Sequence, residues 1–216
     1  MASMEMIKDL RERTGAGILD CKKALAESGD NVEKAIDWLR AKGITSAAKK
    51  SARAASEGLV EAYIHAGGKI GVLLEINCET DFVAINDKFK SLARDIAMHV
   101  AAASPEYVRR EEVPQAAIDR ERAIQLQRVM SEGKPEHIAQ KIVDGRMTKW
   151  FEEVCLLDQK FVKDDSKTID QVVKEAVATI GENIQVRRFV RFVMGEGLEK
   201  RKDDFAAEVA AQAGMQ

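Results

Sequence analysis

The spacing of apolar residues changes period along the chain, and each change marks an element boundary. Met4, Ile7 and Leu10 recur every third residue and so lie on one helical stripe, which Thr14-Gly15-Ala16-Gly17 interrupts. Ile18, Cys21 and Leu25 form a second stripe that stops at Ser28-Gly29. Asp30 and Glu33 are spaced as an acidic variant of a helix-start box. They open a third stripe of Val32, Ala35, Ile36 and Leu39, which Gly43 is expected to end. Residues 44–56, rich in Ala, Lys and Ser, read as a helical or flexible connector.

From Gly58 the period falls to two. Val60, Ala62 and Ile64 alternate, Gly67-Gly68 supplies a two-residue turn, and Val72, Leu74 and Ile76 are expected to resume the same face on the return strand. Asn86 can cap a helix with the stripe Phe89, Leu92, Ala93, Ile96 and Val100, ended by Ser104-Pro105. The hairpin requires that helix to cover its apolar face. Pro114 opens a further helix to about Ser131, and Gly133-Lys134-Pro135 turns into another bearing Ile138, Ile142 and Val143, which together predict a helical hairpin over 114–147. Thr168 and Gln171 start a helix with Ile169, Val172, Val173, Ala176 and Ile180. The last strand, 186–194, places Val186, Arg188, Val190 and Phe192 on one side and Arg187, Phe189, Arg191 and Val193 on the other. It can pair with the first hairpin and also meet a second subunit. The tail 195–216 has only the weak stripe Phe205, Ala206 and Val209, too short to hold without docking. The pattern predicts an α+β fold: a three-helix N-terminal unit with its linker (1–54), a core of a small antiparallel sheet packed with helices and carrying the helical hairpin (55–194), and a C-terminal helical module (195–216).

Composition narrows what such a fold can do. The 216 residues are 45% apolar, enough for a substantial core, and 34 basic against 36 acidic side chains leave a net charge of −2. That balance gives no overall field to attract nucleic acid. The basic runs Lys49-Lys50-Ser51-Ala52-Arg53 and Arg187-Arg188-Phe189-Val190-Arg191 allow at most local binding. Cys21, Cys78 and Cys155 are too widely separated for a disulfide framework or a zinc site, and His65, His99 and His137 are scattered. No metal or other cofactor is expected. There is no apolar run long enough to span a bilayer, and Glu5, Lys8 and Asp9 stand where a secretory signal needs apolar residues, so a cytoplasmic protein is expected. No phosphate-binding loop or nucleophile motif is present, which gives little support to an enzyme with its own substrate.

Two segments carry specific information. Cys78-Glu79-Thr80-Asp81-Phe82-Val83 puts an acid beside a large aromatic where the hairpin runs out, and Phe82 either plugs the end of the core or probes a partner. The second is Leu10-Arg11-Glu12-Arg13-Thr14-Gly15-Ala16-Gly17-Ile18-Leu19-Asp20-Cys21-Lys22-Lys23-Ala24-Leu25. With Gly133-Lys134-Pro135, Gly145-Arg146-Met147 and Phe161-Val162-Lys163-Asp164-Asp165, these segments resemble bacterial elongation factor Ts over nearly the whole chain.

The resemblance implies a guanine-nucleotide exchange factor in translation elongation whose partner is elongation factor Tu. It implies that Thr80, Asp81, Phe82 and Val83 wedge into the partner's nucleotide-binding domain and dislodge the magnesium ion that holds GDP, Asp81 fixing the tip by hydrogen bonds. It makes the N-terminal unit a ubiquitin-associated-like bundle in which Lys8, Arg11, Ile18, Leu19 and Lys22 touch the same partner domain. From the residues alone, Ile18 and Leu19 could equally be core, and Lys8, Arg11 and Lys22 solvated surface. Longer family members carry two related core subdomains, whereas no second copy of the 58–77 hairpin occurs here. Pairing two chains about a two-fold axis would restore the missing half and give a two-to-two complex. The ending, Gly195-Glu196-Gly197-Leu198-Glu199-Lys200 and 204–211, resembles that of the longer form and could instead cover the pairing surface. Two readings of other classes stand beside this one: a plain interaction module built on the bundle, and a ribosome-associated RNA-binding protein using the 187–191 strand.

Overall fold

The computed structural model describes residues 3–133 and 135–199, so the Phe205, Ala206 and Val209 stripe lies outside the described residues. Helices α1 (Met4–Thr14), α2 (Ile18–Glu27) and the first half of α3 (Val32–Lys50) close around Ile7, Leu10, Cys21, Ala24, Leu25 and Ala35. Gly15, at φ 67°, ends α1 in the left-handed conformation that glycine adopts without penalty. The cap of α3 is Asn31, whose side chain accepts from the Lys34 N–H at 2.9 Å, and not Asp30, which takes the positive φ of the turn itself.

Gly43 does not end α3. The helix runs through it to Lys50, and the missing side chain serves packing: a Cβ there would sit 3.1 Å from that of Ala178 on α8 (Ile169–Ile180). The close approach of α3 and α8 joins the N-terminal bundle to the core, and buried Ala47 already belongs to the core cluster. An ion pair reinforces the seam, Arg40 of α3 lying 3.3 Å from Glu175 of α8.

Strands β1 (Glu57–Ile64), β2 (Ile70–Cys78) and β5 (Gln185–Val193) form an antiparallel sheet in the order β1-β2-β5. Its inner face is covered by α5 (Asp87–Ala103), on which Phe89, Leu92, Ala93, Ile96 and Val100 are buried as the stripe predicts, with Asn86 capping the Lys88 N–H. Helix α8 packs on α5, and its Thr168–Gln171 capping box forms in both directions. Strands β3 (Lys160–Phe161) and β4 (Asp164–Thr168) make a small hairpin that hydrophobic periodicity does not reveal, since all but Phe161 are polar. Helices α6 (Gln115–Ser131) and α7 (Glu136–Val154) form the helical hairpin around Val129, Ala139, Val143 and Met147, with α7 two turns longer than expected.

The sheet corrects one expectation about its faces. The register pairs Val60 with Glu75, Ala62 with Leu73 and Ile64 with Gly71. Residues paired across the strands share a face, so Val60, Ala62 and Ile64 lie on the other face of the sheet from Val72, Leu74 and Ile76. The inner face is Leu59, Tyr63, Val72, Leu74 and Ile76; the outer one is left to solvent. In β5 a register shift between Glu75 and Ile76 adds one residue, Arg187, to the strand. This bulge changes the phase: Val186 and Phe189 turn inward, whereas Arg188, Val190 and Phe192 turn out. The simple alternation expected for 186–194 therefore breaks at Arg187.

Candidate functional site

Where β2 leaves the sheet, the last ladder pair is Glu57 with Cys78, and the chain turns into the short helix α4 (Asp81–Ala84). The Val83 and Ala84 side chains pack against the core and fix this turn from below. Phe82 points the other way and is 78% exposed, and Ile85, three residues on and so on the same side of the turn, is 67% exposed. The phenyl ring is not a plug for the core end. Burying such a ring in a partner is worth about 1.5–3 kcal/mol.

The segment before α4 is held by charge-assisted hydrogen bonds. Glu182, from the turn between α8 and β5, accepts the Glu79 N–H at 3.1 Å, the Thr80 N–H at 3.0 Å and the Thr80 hydroxyl at 2.7 Å. In return, Glu79 accepts the Asn183 N–H at 2.6 Å. The Cys78 thiol donates to the Thr80 carbonyl at 3.1 Å, and burial, aided by the Glu182 charge, pushes its pKa to about 11. Burial also pushes Cys155 to about 11 and raises Cys21, so none of the three is a thiolate at neutral pH. Asp81 is exposed, and its carboxylate has no hydrogen-bond or ion-pair partner among the described residues. The hydrogen bonds that hold this segment converge on Glu182, 101 residues further along the chain than Asp81, which no local pattern could identify.

On the N-terminal bundle, Ile18 is 51% and Leu19 82% exposed, because Cys21, Ala24 and Leu25 fill the inward face of α2. Lys8, Arg11 and Lys22 are exposed as well. Lys8 and Arg11, one turn apart on α1, line a shallow depression with Glu12, Gly15 and Lys88. Lys88 belongs to the first turn of α5, just beyond the tip, so the basic side of α1 and the helix that follows the tip share one rim. Three cations against one carboxylate make that rim electropositive.

The model of the family described as Elongation factor TS matches residues 21–196. The chain belongs to the elongation factor Ts family. Among curated relatives, the Elongation factor Ts of Desulforamulus reducens is 63% identical over 210 residues, covering 97% of each chain. That of Carboxydothermus hydrogenoformans is 60% identical over 98% of this chain and 97% of its own. That of Heliobacterium modesticaldum is 59% identical over 98% and 99%. The chain spans 97–99% of the length of these relatives.

Membership in the elongation factor Ts family assigns a role in translation elongation and disfavours both rival readings. The basic strand also has internal uses: Arg187 and Arg188 both reach Glu75, at 2.7 and 2.6 Å, and hold its carboxyl below the usual range, while Arg191 donates to the Ala101 carbonyl at the end of α5. Sequence reasoning missed Ile85 and Glu182. The i, i+3 spacing from Phe82 carried the signal for the first; only the fold carries it for the second.

Proposed function

We propose that this elongation factor Ts binds elongation factor Tu in its GDP form and speeds GDP release by inserting Phe82 into the nucleotide-binding domain. The magnesium ion that holds GDP is then dislodged, and GTP can enter. The carrying observation is the 78% exposure of Phe82 on a segment anchored on either side of it, by Val83 in the core and Thr80 on Glu182. A braced aromatic loses little freedom on insertion, so most of its burial energy is available for the contact. Asp81, exposed beside it, meets polar groups of the partner. Lys8, Arg11, Ile18, Leu19 and Lys22 give a second contact to the same partner domain, an apolar pair flanked by cations. The factor works by binding, without covalent chemistry or a cofactor, and its place of work is the cytoplasm.

Exchange of this kind follows from linkage. A factor that binds the nucleotide-free partner more tightly than the GDP form weakens GDP affinity by the same ratio. Each ~1.4 kcal/mol of differential contact gives tenfold.

The outer face of the sheet supports a homodimer and a two-to-two complex. Cross-strand rows Ile64–Gly71–Phe192 and Ala62–Leu73–Val190, with Val60 beside them, put large apolar side chains on one exposed surface of three strands. Two copies related by a two-fold axis would bury this surface against itself.

The test is stopped-flow release of a fluorescent GDP from elongation factor Tu, with the intact chain and with Phe82→Ala. Rapid release by the intact chain and a loss of about tenfold or more on truncation are expected. Equal acceleration by both would move the work away from Phe82, and no acceleration by the intact chain would sink the exchange reading.

A further inference from the structure

The turn between α8 and β5 does more than connect them. Thr80 occupies the N-cap of α4, yet its side chain makes no capping bond; its hydroxyl is given to Glu182 instead. A residue type suited to capping its own helix is used to tie that helix to a distant carboxylate. The Glu79 and Thr80 N–H groups lie beyond the last β1–β2 pair, and Glu182 supplies the acceptor that a strand would have supplied. One step along, Asn183 is 2% exposed and donates its side-chain amide to the Arg53 carbonyl at 2.7 Å, while Gln185 donates to the Ser51 carbonyl at 3.2 Å. Residues 51 and 53 are where the chain leaves α3, coming from the N-terminal bundle. The same turn therefore grips both the tip and the exit of the bundle.

Resting on the proposed role of Phe82, we infer that Glu182 is a positioning residue for nucleotide exchange. It aims the tip by holding the backbone before α4, and Asn183 beside it holds the segment by which the chain leaves the N-terminal bundle, the unit that carries the second contact surface. Charge-assisted bonds to a carboxylate are about twice as strong as neutral ones, and three converge here. With Glu182 removed, the segment from 79 to 81 keeps the Val83 anchor but gains a range of directions, and fewer of them match the partner's crevice.

The test is GDP release from elongation factor Tu at graded factor concentrations, with Glu182→Ala, the isosteric Glu182→Gln, Phe82→Ala and the double variant Phe82→Ala/Glu182→Ala. Thermal unfolding establishes that each is folded, and Glu182→Gln serves should the alanine variant fail to fold. A loss of about tenfold in the maximal release rate is expected for Glu182→Ala, with a smaller loss for Glu182→Gln, which keeps one acceptor oxygen. In the Phe82→Ala background, removing Glu182 should cost almost nothing further, because a tip without its ring has nothing to aim. A loss of the same size in both backgrounds means a general structural role and overturns the inference. So does full activity of the Glu182 variants beside an impaired Phe82→Ala. If Phe82→Ala is itself fully active, the tip reading fails and the inference falls with it.

Discussion

Two regions of the chain expose large apolar side chains, and they do so in opposite ways. The tip presents Phe82 and Ile85 from a single turn, on a backbone clamped by Glu182 and anchored by Val83. The outer sheet face presents Val60, Ile64, Leu73, Val190 and Phe192 across three strands, each held by its ladder. A point and a plane suit different work. On the proposed function, the point enters a crevice that opens in only one state of a partner, and its binding energy then discriminates between states and drives exchange. A plane gains by area, does not discriminate between states, and suits a lasting contact between copies. Exposure alone thus does not separate a functional aromatic from an interface; the support beneath it does.

The largest effect should come from placing a charge in the plane. Phe192→Glu would bury a carboxylate without a partner if two sheets pair, a cost of several kcal/mol. Analytical ultracentrifugation should show a dimer for the intact chain and a monomer for the variant. GDP release per chain should fall far less than association, because the tip remains whole. A monomeric intact chain would remove the plane from the comparison and leave it a face of another kind.

The converse variant, Phe82→Ala, should leave association unchanged while release falls about tenfold or more. Loss of both together would mean that point and plane are one surface. Ile85→Ala sharpens the picture on a finer scale. Its side chain stands on the same side of the tip, further along the chain and less exposed than Phe82, so a several-fold loss is expected, smaller than that of the ring.

Much of this contrast can be read from residues in sequence order, and the remainder fails for identifiable reasons. The α5 stripe and the Thr168–Gln171 box are local patterns confirmed by buried Phe89, Ile96 and Val100 and by both capping bonds. The sheet's phase is not local. Val60 and Leu74 are both apolar, and only the pairing of Val60 with Glu75 shows that they face opposite ways. Gly43 has the composition of a stop signal but serves as a contact point, because whether a glycine ends a helix depends on what lies across from it. At the site, Phe82 and the exposed Ile18 and Leu19 lie in segments that stand out in the sequence, whereas Glu182 acts across the fold on atoms of the backbone, which carry no sequence signature.

The smallest effect probes what lies beneath both regions. His99 is fully buried in α5, with Nε2 against the Gln159 side-chain oxygen at 2.9 Å and Nδ1 receiving the Val162 N–H at 3.3 Å. An acceptor at Nδ1 requires the neutral ring, and burial lowers the pKa against the opposing pull of Gln159. In the unfolded chain the imidazole titrates near its ordinary value of about 6.5. Above that pH neither state binds the proton and stability is unaffected. As the pH falls below it, the unfolded chain takes up a proton that the folded one refuses, so stability declines until the lowered folded value is reached. Urea midpoints measured from pH 7.5 down to pH 5 should therefore fall more steeply for the intact chain than for His99→Gln. Because α5 supports the sheet from one side and follows the tip directly, exchange and association should weaken together as unfolding begins. A loss of exchange in acid that precedes any unfolding, and spares association, would instead place a titrating group at the tip.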